Sequence, residues 1–115
     1  MGTTITAEAG RAYGHVPGHQ FLDVEITCAP CGSRWLATLT VTAGSAQESH
    51  GRNDTIYREE EYAATSSSAE DAIERVKEEA LDGSDGDEEQ ERYVRTAAAR
   101  ALREACAACD EEEAA

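Results

Sequence analysis

The chain has 115 residues, of which 40% are hydrophobic and 30% are charged, and its formal net charge is −14. This length suits one domain with a modest core. So acidic a surface repels phosphate, which disfavours binding of the whole domain to nucleic acid. The charge is uneven: residues 1–47 carry three acids and two bases, and residues 48–115 carry the other 21 acids and eight bases. A surface this acidic suits a salt-tolerant protein of halophilic origin, a binder of basic proteins, or a phage-type mimic of nucleic-acid charge.

The N-terminus has neither the basic start nor the apolar run of a secretory signal. No stretch approaches the ~18–20 apolar residues that a membrane span requires. We therefore expect a cytoplasmic protein without a membrane partner, in which thiols stay reduced.

Hydrophobic alternation predicts the strands. Residues 1–19, rich in Gly and Thr, are expected to be a loosely ordered arm that contributes at most a short edge strand. Apolar residues then alternate with polar ones in 22–28 and again in 35–41, which predicts two strands joined by a turn at 29–33. The polar residues 43–55 are predicted to be a loop. A third strand is expected over 55–65, and its charges suit an edge position.

Two helices are predicted after the strands. Ser67 or Ser68 can cap the first, Ser67 and Glu70 have the spacing of a capping box, and Gly83 marks its end. The apolar face of the first helix is expected to consist of Ala69, Ile73, Val76 and Ala80. The second helix is predicted from about Glu88 to about Cys109, followed by an acidic tail at 110–115. Its apolar stripe is expected to contain Val94, Ala98, Leu102, Ala105, Cys106 and Cys109.

All four cysteines fall in two pairs of identical spacing, Cys28-x-x-Cys31 and Cys106-x-x-Cys109. A separation of three residues allows two thiolates to bind one ion, either on a tight turn or on one helical face. Gly32 supplies the permissive backbone that such a turn requires. We therefore predict a structural Zn²⁺ bound by these four cysteines, which would join the hairpin turn to the last helix.

The segment Cys28-Ala-Pro-Cys31-Gly32 between two strands resembles the zinc knuckle of zinc-ribbon and treble-clef domains. In those families a second Cys-x-x-Cys completes a four-cysteine site that is usually structural. The resemblance is to the metal-binding element and not to one family, since 74 residues separate Cys31 from Cys106.

Other roles for the cysteines stay open: a redox dithiol, a disulfide, or uncoupled buried thiols. Thioredoxin-type chemistry places its motif at a helix start, whereas Cys28 is predicted in a hairpin and Cys106 near a helix C-terminus. His15 and His19 could replace two cysteines as ligands, although ordinary roles in the arm are expected.

No constellation of residues indicates catalysis, and His50 has no nucleophile at a recognisable spacing. The second helix contains four arginines, at 92, 95, 100 and 103. They either contact phosphate or an acidic surface of a partner, or they form ion pairs with the surrounding glutamates, and ion pairing is expected. The acids at 59–61 and 82–89 raise the possibility of mimicry of a phosphate row.

These observations predict a single α+β domain at 20–109: a three-stranded antiparallel sheet with two helices on one face, stapled by zinc. The expected function is non-enzymatic binding of a basic protein surface. The alternatives are a zinc-ribbon nucleic-acid-binding module, which would use the arginines and Arg34 and Trp35, and a dithiol redox protein.

Overall fold

The computed structural model describes residues 4–11, 20–49 and 52–114. Its elements are β1 (Ile5–Arg11), β2 (Gln20–Cys31), β3 (Arg34–Ser49), β4 (Arg52–Ser66), α1 (Ala69–Gly83) and α2 (Glu88–Ala114). The strands form one antiparallel sheet in the order β1-β2-β3-β4. The α+β class, with an antiparallel sheet and two helices, is confirmed. The predicted count of three strands is wrong, and no zinc staple is seen among the described residues.

The strand that the sequence analysis left out of the sheet is β1. Ile5, Ala7 and Ala9 alternate with Thr6 and Glu8, and the three apolar side chains are buried. They pair with Cys28, Ile26 and Val24 of β2, respectively. The period-2 signal was therefore present within the predicted arm, but alanine marks a core face weakly. The rest of that arm, at 1–3 and 12–19, lies outside the described residues.

The hairpin between β2 and β3 is tighter than predicted. The strands continue to Cys31 and Arg34, which pair with each other, so the turn consists of Gly32 and Ser33 alone. Gly32 has a φ of 64°, and glycine at the first position of a two-residue turn is the preference of a type II′ hairpin.

The segment predicted as a polar loop at 43–55 is mostly strand. Pairing of β3 with β4 continues to Ser49 and Arg52, whereas β2 stops pairing with β3 at Ser45. The last four pairs therefore form a two-stranded ribbon beyond the sheet. Residues 46–49 and 52–55 of this ribbon lack the apolar alternation that predicts a strand, which is why their sequence resembles a loop. The predicted edge position of β4 is confirmed.

Helix α1 begins at an N-cap formed by Ser68, whose side chain accepts a hydrogen bond from the Asp71 N–H at 3.1 Å. The predicted capping box of Ser67 and Glu70 is wrong by one residue. The helix ends at Gly83, as expected. Its predicted apolar face is buried, together with Ala72.

Helix α2 begins at Glu88, as predicted, after a link in which Asp85 and Gly86 have positive φ. The Asp87 carboxylate accepts a hydrogen bond from the Gln90 N–H at 3.1 Å and so caps the first turn. The helix continues to Ala114 and not only to about Cys109, because no glycine or proline interrupts the acidic tail.

The core lies on one face of the sheet. Helix α1 packs against β2, β3 and β4, whereas α2 packs against β1, β2 and α1. The largest fully buried side chains are Ile26, Leu39, Ile73, Gln90, Val24, Val41, Val76, Val94 and Cys28. Most of the buried apolar side chains that α2 adds to the core are alanines. Because alanine is small, α2 can pack close to the sheet.

Candidate functional site

The face of the sheet that is turned away from the helices carries most of the polar side chains of the sheet. Because side chains alternate along a strand, the neighbours of each buried residue project from this open face. Its described members include five carboxylates and a set of threonines. The carboxylates are Glu8, Asp23, Glu25, Glu59 and Glu61, and the threonines are Thr6, Thr27, Thr38, Thr40, Thr42 and Thr65.

The strand register arranges these side chains in rows across the sheet. One row contains Glu8, Glu25, Thr40 and Glu61 from the four consecutive strands. The next contains Asp23, Thr42 and Glu59, beginning at Gly10 of β1. Neighbouring strands are about 4.8 Å apart, so the acids of β2 and β4 lie about 10 Å apart on either side of the threonines of β3.

The carboxylates crowd one another. Partial burial of Asp23, together with the negative charges of Glu8 and Glu25, raises the pKa of its carboxyl above the ordinary value of 3.8. Glu8 and Glu25 face each other directly across two strands, and like charges in that position are destabilising. Among the described side chains, the one base on this face is Arg34, at the turn. Within the described part of the chain, the carboxylates of the open face therefore have no neighbouring base except Arg34.

The sequence analysis identified only part of this surface. Of the three consecutive glutamates, Glu59 and Glu61 lie on the open face, whereas Glu60 lies on the helix side. There the Glu60 carboxylate accepts hydrogen bonds from Tyr62 and from the buried Gln90. The acids at 82–89 lie at the end of α1, in the connection between the helices and at the start of α2, and not on the sheet. The acids of β1 and β2 were missed, although their alternation with apolar residues was the available signal.

The first cysteine pair is divided between the two faces of the sheet. Cys28 is fully buried, and its thiol lies 3.8 Å from the Ala69 carbonyl oxygen, whereas Cys31 is exposed. Residues three apart in an extended strand point in opposite directions. These two sulfurs therefore cannot bind one ion unless the end of β2 changes conformation. Burial also raises the pKa of the Cys28 thiol, which opposes thiolate formation.

In the second pair, Cys106 is exposed and does not face the core as predicted. The α2 stripe is instead made by Val94, Ala97, Ala98, Ala101 and Ala105, with Leu102 at its margin. The Cys109 side chain lies outside the described part of the chain. Within that part, no three ligand-type side chains are grouped as a metal site. The four-cysteine zinc site stays a prediction.

Among the described residues, the arginines of α2 do not form the ion pairs that were expected. None of Arg92, Arg95, Arg100 and Arg103 pairs with a carboxylate among the described residues, where the ion pairs involve Arg75 and Lys77. Arg92 lies over the Tyr93 ring, 5.0 Å from its centroid. The Arg100 Nη1 donates to the Glu8 carbonyl oxygen at 2.6 Å. The three histidines, His15, His19 and His50, lie outside the described residues.

The structure thus belongs to a class of α+β architecture in which a four-stranded antiparallel meander has helices on one face. Its other face, the open face, is acidic and rich in threonine. Comparison with protein-family models, with characterised proteins and with solved structures finds no match to this chain. Neither helix in the described residues combines the length and the apolar character needed to cross a bilayer.

Proposed function

We propose that this protein binds a basic surface of a partner protein through the open face of its sheet. The observation that carries the proposal is the placement of five carboxylates on a face that no element of the described chain covers. The positions that face the helices, by contrast, are apolar over most of the sheet. The protein acts as a binding module and not as an enzyme.

Electrostatics favours a cationic partner in two ways. The net charge of −14 steers basic surfaces toward the chain over distances comparable to the Debye length, about 8 Å at physiological salt. At contact, lysine or arginine side chains of the partner relieve the repulsion among Glu8, Asp23 and Glu25. Binding therefore becomes tighter as salt is lowered.

The middle of the open face suits contact with a protein segment. The β3 threonines Thr38, Thr40 and Thr42 are half-buried and form a row between the acids of β2 and those of β4. Their methyl groups offer apolar contact, and their hydroxyls can donate or accept hydrogen bonds. A basic segment lying along β3 would place its cations over the acids on both sides.

A partner that itself binds nucleic acid would present a basic surface of this kind. In that case the carboxylates would occupy positions that phosphates otherwise take, as a nucleic-acid mimic or phage-type inhibitor does. The same surface would then compete with a duplex for the partner. The chain itself is not expected to shift a labelled duplex, even at low ionic strength.

The test is binding of a fluorescent decapeptide of alternating arginine and serine, followed by anisotropy at low and physiological salt. The open-face variant replaces Glu25, Glu59 and Glu61 with glutamine. The control variant removes the same charge from exposed positions of α1, by Glu70→Gln, Glu79→Gln and Asp82→Asn. The open-face variant loses three exposed ion pairs with arginines of the peptide, which should weaken binding about tenfold.

The control variant should lose less than about threefold, because only the long-range attraction falls. Equal weakening of both variants would show that total charge, and not the open face, is responsible. Tight binding of the peptide by both variants at physiological salt would also contradict the proposal.

A further inference from the structure

A groove runs between β1 and the C-terminal half of α2, on the side of the sheet opposite β4. Its strand wall is formed by residues 6–8, and its helix wall by Arg100, Arg103, Glu104 and Ala107. The groove shares Thr6 and Glu8 with the border of the open face, whereas its helix wall belongs to the layer on the other side of the sheet. It brings together two cations and a strand edge that no other described strand pairs.

The outer edge of β1 presents backbone hydrogen-bonding groups that no described strand pairs. β1 is the first strand of the sheet, and among the described strands it pairs with β2 alone. The Glu8 carbonyl accepts a hydrogen bond from Arg100 and therefore points away from β2. In an antiparallel pair the outward groups belong to alternate residues, so the N–H and C=O of Thr6 and Glu8 share this edge. Such an edge accepts an additional strand.

The helix wall offers two guanidinium groups. Neither Arg100 nor Arg103 has a carboxylate partner among the described residues, in a chain with 24 acids. Arg100 holds its guanidinium against the strand edge by one donor, which leaves further donors for a ligand. Glu104 also lines this wall and Glu8 lies in the strand wall, so the lining of the groove contains two basic and two acidic residues.

We propose that this groove binds an extended peptide that carries a carboxylate and is added to the sheet beside β1. Main-chain hydrogen bonds to Thr6 and Glu8 fix the peptide, and Arg100 and Arg103 receive its carboxylate. Because the whole chain is acidic, the ligand has one or two carboxylates and not a long acidic run. This inference goes beyond the proposed function, because the ligand carries a carboxylate and is held between the edge of β1 and helix α2.

The probe is an acetylated and amidated hexapeptide of valine and threonine with one central aspartate. Its affinity is measured by NMR titration, and amide hydrogen exchange is followed at Thr6 and Glu8. A peptide with asparagine in place of aspartate is the charge control. A third peptide, with asparagine and a free C-terminus, distinguishes a terminal carboxylate from a side-chain one. The expected result is slower exchange at both amides, with binding that requires a carboxylate.

Arg100→Gln and Arg103→Gln are each expected to weaken binding about tenfold, because each loses a charge-assisted hydrogen bond. Arg95→Gln, at an exposed position of the same helix, should leave affinity unchanged. Arg103→Gln keeps the contact between Arg100 and Glu8, so its effect separates carboxylate binding from stabilisation of β1. Thermal melts of each variant accompany the titrations.

Three results would overturn the proposal. Equal affinity of the aspartate and asparagine peptides at the groove would remove the role of the arginines. Protection of β4 amides instead of β1 amides would place the added strand at the other edge. Concentration-dependent protection of Thr6 and Glu8 without peptide would show that a second copy of the chain occupies the groove.

Discussion

Truncation of Leu39 tests the division of the sheet into a covered and an open face. The Leu39 side chain is fully buried on β3, between Ile26 and Tyr62 on the neighbouring strands. Leu39→Ala removes three carbon atoms, worth about 2.4 kcal/mol at ~0.8 kcal/mol each in transfer free energy. Because a rigid core closes such a cavity only in part, the total should be about 3–4 kcal/mol.

The matched control is Leu36, which lies on the same strand but projects from the open face and is half-buried. Leu36→Ala should cost about 1 kcal/mol or less, since part of its surface already contacts water. Urea unfolding at neutral pH, followed by circular dichroism, gives both free energies of unfolding. Equal costs for the two variants, or a larger cost for Leu36→Ala, would refute the assignment of faces.

Three further outcomes are expected. Because its folded pKa is raised, Asp23 destabilises the fold increasingly as pH rises above 3.8, so Asp23→Asn should raise the melting temperature at pH 7 and lose this effect in acid. Hydrogen bonds from Ser66 and Arg75 lower the pKa of Asp71, so its stabilisation is present at neutral pH and disappears as pH falls below 3.8; Asp71→Asn should flatten that part of the melting profile. In the native, metal-free protein, thiol alkylation should be fast at the exposed Cys31 and Cys106 and slow at Cys28 until the chain unfolds. If all three thiols are instead protected from alkylation until a chelator is added, and elemental analysis finds one zinc per chain, the four-cysteine site would be supported.

The sequence predicted the elements with strong periodicity. The alternation from Leu22 to Cys28 and the capped, amphipathic α1 both rest on large apolar residues at regular spacing, and both were placed correctly. β1 and the stripe of α2 rest mainly on alanine, which is common on surfaces as well as in cores. That is why the arm was expected to contribute at most a short edge strand, which was not counted in the sheet, and why Cys106 was assigned to the wrong face.

The candidate site was harder to predict because it depends on register. The sequence shows that Glu8, Glu25 and Glu61 are each polar members of an alternating segment. Only the pairing of the strands places them in one row across the sheet. In the same way, the Cys-x-x-Cys spacing indicated a shared ligand set only if Cys28 and Cys31 lie on a turn. The strand that extends to Cys31 separates them.

Isotope-labelled protein titrated with the arginine-serine decapeptide tests the central claim most directly. Amide chemical shifts should change along Thr38–Thr42 and around Glu25 and Glu61, and the exposed side of α1 should be unaffected. The changes should diminish as salt is raised. Shifts concentrated on the helices, or no shifts at low ionic strength, would contradict a binding role for the open face.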